Sequence, residues 1–517
     1  MVIGVDVGSS GCKVTALGSD GVVVARSGIH SYPIHRPGVG WAEQDPHNWY
    51  RAACLAIREC LQSGDIHPGD VRALCIDGPA HNVAILNAAG EVIYPSIHWS
   101  DLRSVPQSER LERQCGDNIF RLSYQRVNPS WTLPQLLWLK ENEPGVWSRL
   151  RMLQVTKDYV RFRFTGIYQT DVYDAIGTQL YEVDRDQWSP DLCGLLNFPP
   201  GWLPDVLPAN ALAGKLLRQP AHDAGLLEGT PVAIGSGDSV VEALGVGAVQ
   251  PGQCIVKLGT AANVNLVTRK LLPSAKSLTY RHLIDGHGFT IAATNSGAST
   301  MRWFGETFCR HEAGKAKGKF GNTFEVVTGL AAKAPGGCQG LIFHPYLMGE
   351  RSPHWDPHLR GDFVGIGAHH GIEHFARAIL EGVAFSIRDC LEAVEGLGQE
   401  ITELYLLGGG AKSALWCQIL CDVLGARLLK PGIDDASFGA ALVGAVAIGQ
   451  YEDYADAVRN CVKEEEVLHP GESGRDLYSD YFRIYQEITE DLRRHSHRLA
   501  KAGHPEQGRA DKISNEQ

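Results

Sequence analysis

The sequence predicts an α/β protein of two related halves, and three observations predict it. The apolar run Val2-Ile3-Gly4-Val5 enters a polar turn, Asp6-Val7-Gly8-Ser9-Ser10-Gly11, and alternation resumes through Lys13-Val14-Thr15-Ala16-Leu17, which reads as strand, tight turn and returning strand. The pattern restarts after about residue 230, where Cys254-Ile255-Val256-Lys257-Leu258 enters a second turn, Gly259-Thr260-Ala261-Ala262, that echoes the first. Around both turns, strand-like runs alternate with helical patterns. At ~150 residues per domain, 517 residues suggest roughly two to four domains, and the echo favours two large ones. The expected division is 1–247 and 248–500, followed by a tail, 501–517, that is almost devoid of apolar residues from His504 on and is expected to be flexible.

Along the first half, strand-like runs at 2–7, 12–17 and 21–26 precede a helical pattern at 48–62. Strands follow at 72–76 and 83–86, and Gly90-Glu91-Val92-Ile93-Tyr94-Pro95 extends the series. Helices are expected around 104–114, 132–141 and 156–164. Val232-Ala233-Ile234 then enters Gly235-Ser236-Gly237-Asp238 and a helical stretch at 239–245. In the second half a strand at 404–407 runs into Gly408-Gly409-Gly410, with helices at 413–425 and, rich in alanine and glycine, at 437–448. A last helix is expected at 474–499.

Composition narrows the function. With 44% hydrophobic and 21% charged residues the chain is globular, and a net charge of −11 without any basic block argues against a nucleic-acid partner. Thirteen cysteines, an odd number with no C-x-x-C pair, fit neither a disulfide framework nor a structural zinc site and point to a reducing compartment. Cys417 and Cys421 stand one helical turn apart among Leu415, Ile419, Leu420 and Leu424, so they read as buried thiols. The chain moves straight into a strand without a basic leader, and its longest apolar stretch, 438–448, is too short for a membrane span, so the expected location is the cytoplasm and no membrane partner is expected.

Several constellations carry chemistry. In the first turn, glycines let successive N–H groups cradle phosphate oxygens, Asp6 can hold magnesium and Lys13 adds a point charge; the plain alternative is a hairpin whose glycines only turn the chain. Asp238, after two glycines at a strand mouth, can take the proton of a substrate hydroxyl as its oxygen attacks a γ-phosphorus, or can simply cap a helix. Gly408-Gly409-Gly410, with Ser413 and Trp416 beyond, lets a base or ribose lie against backbone, or is a tight turn. The small residues of 434–441 allow a helix to approach a nucleotide, or to pack in a core. Gly78-Pro79-Ala80-His81 and Trp99-Ser100-Asp101-Leu102-Arg103 follow strands; His81, Trp99 and Asp101 offer the aromatic face and polar tips a polyol needs, while a structural histidine and an Asp101–Arg103 ion pair are the alternatives. For Gly349-Glu350-Arg351-Ser352-Pro353-His354-Trp355-Asp356-Pro357 an Arg351–Asp356 scaffold bridge is favoured over direct catalysis.

Taken together these segments resemble the FGGY carbohydrate kinases of the actin-like superfamily, over nearly the whole chain. Asp6-Val7-Gly8-Ser9-Ser10 looks like the first phosphate loop of that family, Gly259-Thr260 like its second, and Gly408-Gly409-Gly410 like its adenosine loop. The most specific match is Gly361-x-Phe363-x-Gly365-Ile366, seven residues, then His374-Phe375-x-x-Ala378-Ile379-Leu380-Glu381. Thr156-Lys157-Asp158-Tyr159, Thr170-Asp171 and Asp174-Ala175-x-Gly177-Thr178 are similar to family segments as well. Gly349 to His354, with His81, most resembles the xylulokinase branch, which usually has Gln and Met where Pro79 and Ala80 stand and Asn where Ser239 stands, and the N-terminal signature of the family usually has Lys where Gln135 stands.

The resemblance implies two actin-like (ribonuclease H-like) domains, each with a central mixed sheet flanked by helices, and a cleft between them. It implies ATP and Mg2+ as cofactors, a small-molecule sugar as partner and a homodimer as the candidate assembly. Asp238 is then the catalytic base; His81, Ala80, Trp99, Asp101 and Ser239 join it on the sugar side; Gly8, Ser9, Ser10, Lys13, Gly259, Thr260, Gly409, Gly410 and Ser413 hold ATP; Asp6 holds the metal. The expected reaction is phosphorylation of D-xylulose to D-xylulose 5-phosphate. A family kinase acting on ribulose, fuculose, gluconate, L-xylulose or another polyol is the first alternative, and a nucleotide-gated binding protein of the actin or Hsp70 type the second. Ligand contacts for Glu242 and Arg351 stay open.

Overall fold

Six consecutive buried residues, Val2–Val7, make a strand covered on both faces. The chain returns antiparallel to it as Gly11–Leu17, with Val7 opposite Cys12, while Ala73–Asp77 lies parallel on the other side, Asp6 level with Asp77. Val23–Arg26 extends one edge of this sheet; Pro231–Ala233 and Leu212–Lys215 extend the other. A second sheet repeats the plan. Gln253–Leu258 turns back as Ala262–Thr268, Glu403–Leu407 lies parallel to it with Lys257 level with Leu407, and the sheet is completed by Gly288–Ala293 then Leu278–Arg281 on one side and Leu428–Pro431 then Glu464–Leu468 on the other. The sequence echo between the two glycine turns is one mixed sheet order built twice.

This computed structural model describes residues 1–310, 323–472 and 474–503. The chain forms two compact units: Met1–Gln250 with Val267–Phe289 and Ile433–Lys463, and Pro251–Leu266 with Thr290–Gly432 and the described residues after Lys463. The first has a core including Ile3, Val5, Trp49, Ile57 and Leu74, the second a core including Val256, Leu258, Phe385, Leu406 and Trp416. The tail expected to be flexible lies outside the described residues from His504 on, and Gly474–Gly503 is helical.

Local chemistry sets the helix limits. Pro46–Ser63 starts two residues before its apolar periodicity, because the Asp45 side chain accepts from the His47 N–H and Pro46 occupies the first helical position. Val105–Ser123 continues past the expected end at 114, since the non-helical φ of −150° at Cys115 kinks the helix without ending it. Ala436–Ala447 belongs to the first unit, where its small residues let it lie on Val2–Val7; a β-carbon on Gly4 would collide with the Ser437 carbonyl oxygen. Of the two readings of 434–441, the structure realises the tightly packed core helix.

All thirteen cysteines are free thiols, and Cys417 and Cys421 donate to the Ala411 and Ala426 carbonyls. Among the described residues, no helix is long and apolar enough to cross a membrane, and no group of three or more His, Cys, Asp or Glu side chains is arranged to hold a metal ion.

Candidate active site

In the first unit the strand ends build an acidic floor. Asp6 and Asp77 close two neighbouring parallel strands in register, so their side chains share one face. Lys13 stands opposite Asp6 on the returning strand, its Nζ 3.7 Å from Asp6 Oδ2 and 3.3 Å from Asp435 Oδ2. Burial works against the Lys13 charge, but the Asp6 and Asp435 carboxylates outweigh it and raise its pKa. The turn itself is tied from behind: Gly8 N donates to Gly11 O at 3.1 Å, the Tyr32 hydroxyl donates to Gly8 O, Gln44 Nε2 to Ser9 O at 2.8 Å, and Tyr32 N to Ser10 O at 3.2 Å. Three successive carbonyl oxygens are thus satisfied by the protein, which leaves the donor side of the turn for an anion.

The base loop leaves the neighbouring strand. Gly235 has φ +75°, and a β-carbon there would collide with the Ile76 carbonyl oxygen, so glycine is required. Gly237, not Asp238, is the cap of Asp238–Gly245, which corrects the capping alternative and leaves the half-buried Asp238 carboxylate unspent on the helix. Asp238 N donates to Gly78 O at 2.9 Å, and the Ser239 hydroxyl donates to Asp238 Oδ1 at 3.2 Å. Beneath the loop, Ser236 Oγ donates to Asp171 Oδ2 at 2.6 Å. Asp171 belongs to a buried ion network in which Lys157 Nζ meets Asp158 at 2.6 Å and both Asp171 and Asp174 at 3.0 Å, while Arg161 meets Asp158 at 2.8 Å and donates to Ile234 O. Burial opposes the Lys157 charge, yet the three carboxylates raise its pKa. In sequence these residues were legible only as family-like segments.

Around His81 the structure adds residues that the sequence reading missed. Nδ1 of His81 is 3.2 Å from Gly177 O and so carries the proton; Nε2, 3.2 Å from the Tyr280 hydroxyl, accepts from it. Trp131 packs edge-on to the imidazole at 4.3 Å, and Tyr173 stacks on Tyr280 at 4.1 Å. Tyr280 comes from the segment 267–289 that rejoins the first unit far along the chain. Ala80 is buried. Trp99 is placed on the phosphate turn, its Nε1 donating to Ser9 Oγ at 3.0 Å. Asp101, expected on the sugar side, requires correction: its two oxygens already accept from Ala42 N and from Arg103 N, Nε and Nη2. Arg103 also pairs with Glu43 at 2.7 Å and lies over Trp41, so the ion-pair alternative holds and Asp101 supports the wall.

In the second unit three glycine segments converge. Ala298 N donates to Gly259 O at 2.9 Å, and Ser299 N and Oγ both donate to Thr260 O. A β-carbon on Gly297 would stand 2.6 Å from Gly259 O, and one on Gly408 2.8 Å from Leu258 O, so 297–299 and 408–410 both lie on the Gly259 turn. The sequence reading missed Ser296-Gly297, whose single glycine carries little signal alone. Gly410 is buried, and Gly409 is exposed with open space where a β-carbon would point. Ser413 caps Ala414–Leu424 by accepting from Trp416 N, and Trp416 itself is buried, donating to Leu380 O. The family resemblance places ATP against this turn, so Gly409→Val is expected to leave thermal stability within about 0.5 kcal/mol, while raising the KM for ATP at least about tenfold, roughly 1.4 kcal/mol of lost binding, in steady-state kinetics.

The loop 349–357 also departs from expectation. Asp356 pairs with Arg493 at 3.0 Å and His497 at 2.7 Å rather than with Arg351. Arg351 donates to Thr294 O, and buried Glu350 accepts from Thr294 Oγ1, Asn295 N and Arg351 N, bracing the loop that leads to Gly297.

The acidic floor fits a magnesium ion. Asp77 is fully buried and neither of its oxygens meets a hydrogen-bond donor among the described residues. Burial first, then the Asp6, Asp238 and Asp435 carboxylates, push its acid well above the carboxylate range. An all-oxygen set at strand ends is the chemistry that Mg2+ takes, using one or two carboxylates with water and phosphate oxygens for the rest.

The N-terminal domain of the FGGY family of carbohydrate kinases matches residues 1–245, and its C-terminal domain residues 254–448. The chain is 32% identical to a xylulose kinase of Escherichia coli, over 94% of this chain and 99% of that protein. It is 30% identical to a xylulose kinase of Bacillus subtilis, over 95% of this chain and 97% of that protein. The crystal structure of a gluconate kinase from Lactobacillus acidophilus superposes with a TM-score of 0.87 at 25% identity, covering 95% of this chain and 98% of that one. The chain belongs to the FGGY family of carbohydrate kinases.

Proposed function

We propose that this sugar kinase transfers the γ-phosphoryl group of ATP to the terminal hydroxyl of D-xylulose, giving D-xylulose 5-phosphate, with Asp238 as the general base. The observation that carries the chemistry is the placement of Asp238 at the first position of its helix, uncommitted to capping and beside the His81 wall. Xylulose is favoured over gluconate by relatives at 30% identity or more that are xylulose kinases, whereas a gluconokinase of Bacillus subtilis is 25% identical.

In this reading the first unit handles the sugar. His81, fixed by Gly177 and Tyr280, and Ser239 line the hydroxyls, with Ala80 closing the wall. Asp238 takes the hydroxyl proton as the oxygen bonds to the γ-phosphorus, and ADP leaves. Such a base supplies about 10²–10⁴-fold, and positioning of the two reactants roughly 7–11 kcal/mol. The turn Gly8-Ser9-Ser10 and Lys13 hold the transferring phosphoryl group, and Gly259, Thr260, Gly409, Gly410 and Ser413 hold the nucleotide. Asp6 would hold Mg2+, which when bound neutralises charge developing on the phosphoryl oxygens. Thirteen free thiols support a reducing, cytoplasmic location.

The test is ADP release measured across D-xylulose, D-ribulose, L-xylulose, fuculose and gluconate. D-xylulose is expected to give the highest kcat/KM; a higher value for gluconate would overturn the substrate assignment. His81→Ala is expected to raise the KM for the sugar about tenfold or more with a smaller change in kcat, as removal of ground-state binding does. An unchanged sugar KM would take His81 out of the site.

A further inference from the structure

Asp77 is a buried acid for which the proposed transfer has no role. It lies level with Asp6 on the neighbouring parallel strand, and the two carboxyls are within hydrogen-bonding reach of one another. Neither Asp77 oxygen meets a donor among the described residues, although the residue is fully buried. Asp238 and Asp435 add negative charge nearby, and the Lys13 ammonium ion-pairs with Asp6 and Asp435. A buried acid without a donor persists in a fold when something else satisfies it. Two things can do so here: a proton shared between the two carboxyls, or a cation that bridges them.

The geometry favours the cation. Adjacent parallel strands hold two carboxyls at one level and on one face, so no side chain has to be reorganised to present both. The two carboxyls themselves offer oxygen donors, which suit a small hard cation in place of zinc or copper. Two carboxylates are also as many as Mg2+ commonly takes from protein, the remaining positions going to water and phosphate.

We propose that Asp77 and Asp6 together form a two-carboxylate site that binds one divalent cation, Mg2+ or Mn2+, before any nucleotide arrives. The inference rests on the reading of Asp6 as the metal residue and adds the second carboxylate and an order of binding. With Asp6 alone the metal would enter mainly with ATP; with the pair it is resident beforehand.

The test uses the full-length protein free of nucleotide, with Mn2+ binding followed by electron paramagnetic resonance and Mg2+ as competitor. Wild type is expected to bind one Mn2+ per chain, and Asp77→Asn, which keeps the shape and removes the charge, to weaken binding at least tenfold. Mg2+ is expected to raise the melting temperature of wild type and not that of Asp77→Asn; Asp77→Ser replaces that variant should it fail to fold. Absence of Mn2+ binding by nucleotide-free wild type, or equal binding by the Asp77 variants, would overturn the proposal in favour of the shared proton. Asp6→Asn separates the two levels: loss of binding there alone overturns only the part played by Asp77, whereas unchanged binding and unchanged Mg2+-dependent turnover overturn the reading of Asp6 as well.

Discussion

Asp238→Asn is expected to lower turnover at least ~100-fold, with ATP affinity within about twofold of wild type. Asparagine has the same shape but cannot take the hydroxyl proton. The fold has little reason to respond: the bond from the residue 238 N–H to Gly78 O is made by backbone, the helix cap is Gly237, and the Ser239 hydroxyl can donate to an amide oxygen as it does to the carboxylate. The effect should therefore fall on kcat, with the sugar KM changing less. Near-normal turnover would remove Asp238 as the base, and a large loss of stability would mean that it acts through structure.

Lys157→Met is expected to cost about 3–5 kcal/mol of stability, the range for breaking a buried ion pair from one side. The side chains of Lys157, Asp158, Asp171 and Asp174 are all at most 2% exposed, and removal of the ammonium leaves Arg161 as the cation of the network. Burial raises the Asp174 acid while Lys157 pulls it down, so the variant should raise it further. A carboxyl raised in the folded state binds its proton more tightly there than in the unfolded chain, and stability falls as pH rises from the unfolded value toward the folded one. The deficit of the variant should then be larger at pH 8 than at pH 5 in urea titrations. Adding Asp174→Asn should recover part of it, because one uncompensated charge is gone. Since Asp171 accepts from Ser236, two residues before Asp238, turnover should fall along with stability.

What the sequence showed was local. Each glycine turn sits between two short strands, so the strand-turn-strand itself reads within about a dozen residues, while the choice between hairpin and phosphate cradle does not. Gly235-Ser236-Gly237-Asp238 presents a carboxylate after two glycines, a pattern that offered a base or a helix cap, and the family resemblance chose the base. What stayed hidden depends on pairing across distance. Asp77 reads as an ordinary strand end until the parallel register sets it beside Asp6. Tyr280 and Asp435 reach the first unit from segments 267–289 and 433–463, which no local pattern assigns there. Asp101 could be a sugar ligand or an ion-pair partner on its own sequence, and Glu43 and Trp41, brought against Arg103 by folding, decide for the pair.

Phosphorus NMR of the products distinguishes phosphoryl transfer from ATP to a sugar hydroxyl from hydrolysis of ATP. With ATP, Mg2+ and D-xylulose, one phosphate monoester is expected on the terminal hydroxyl, formed in equal amount to ADP. Inorganic phosphate in equal amount to ADP, with no sugar ester, would contradict that transfer.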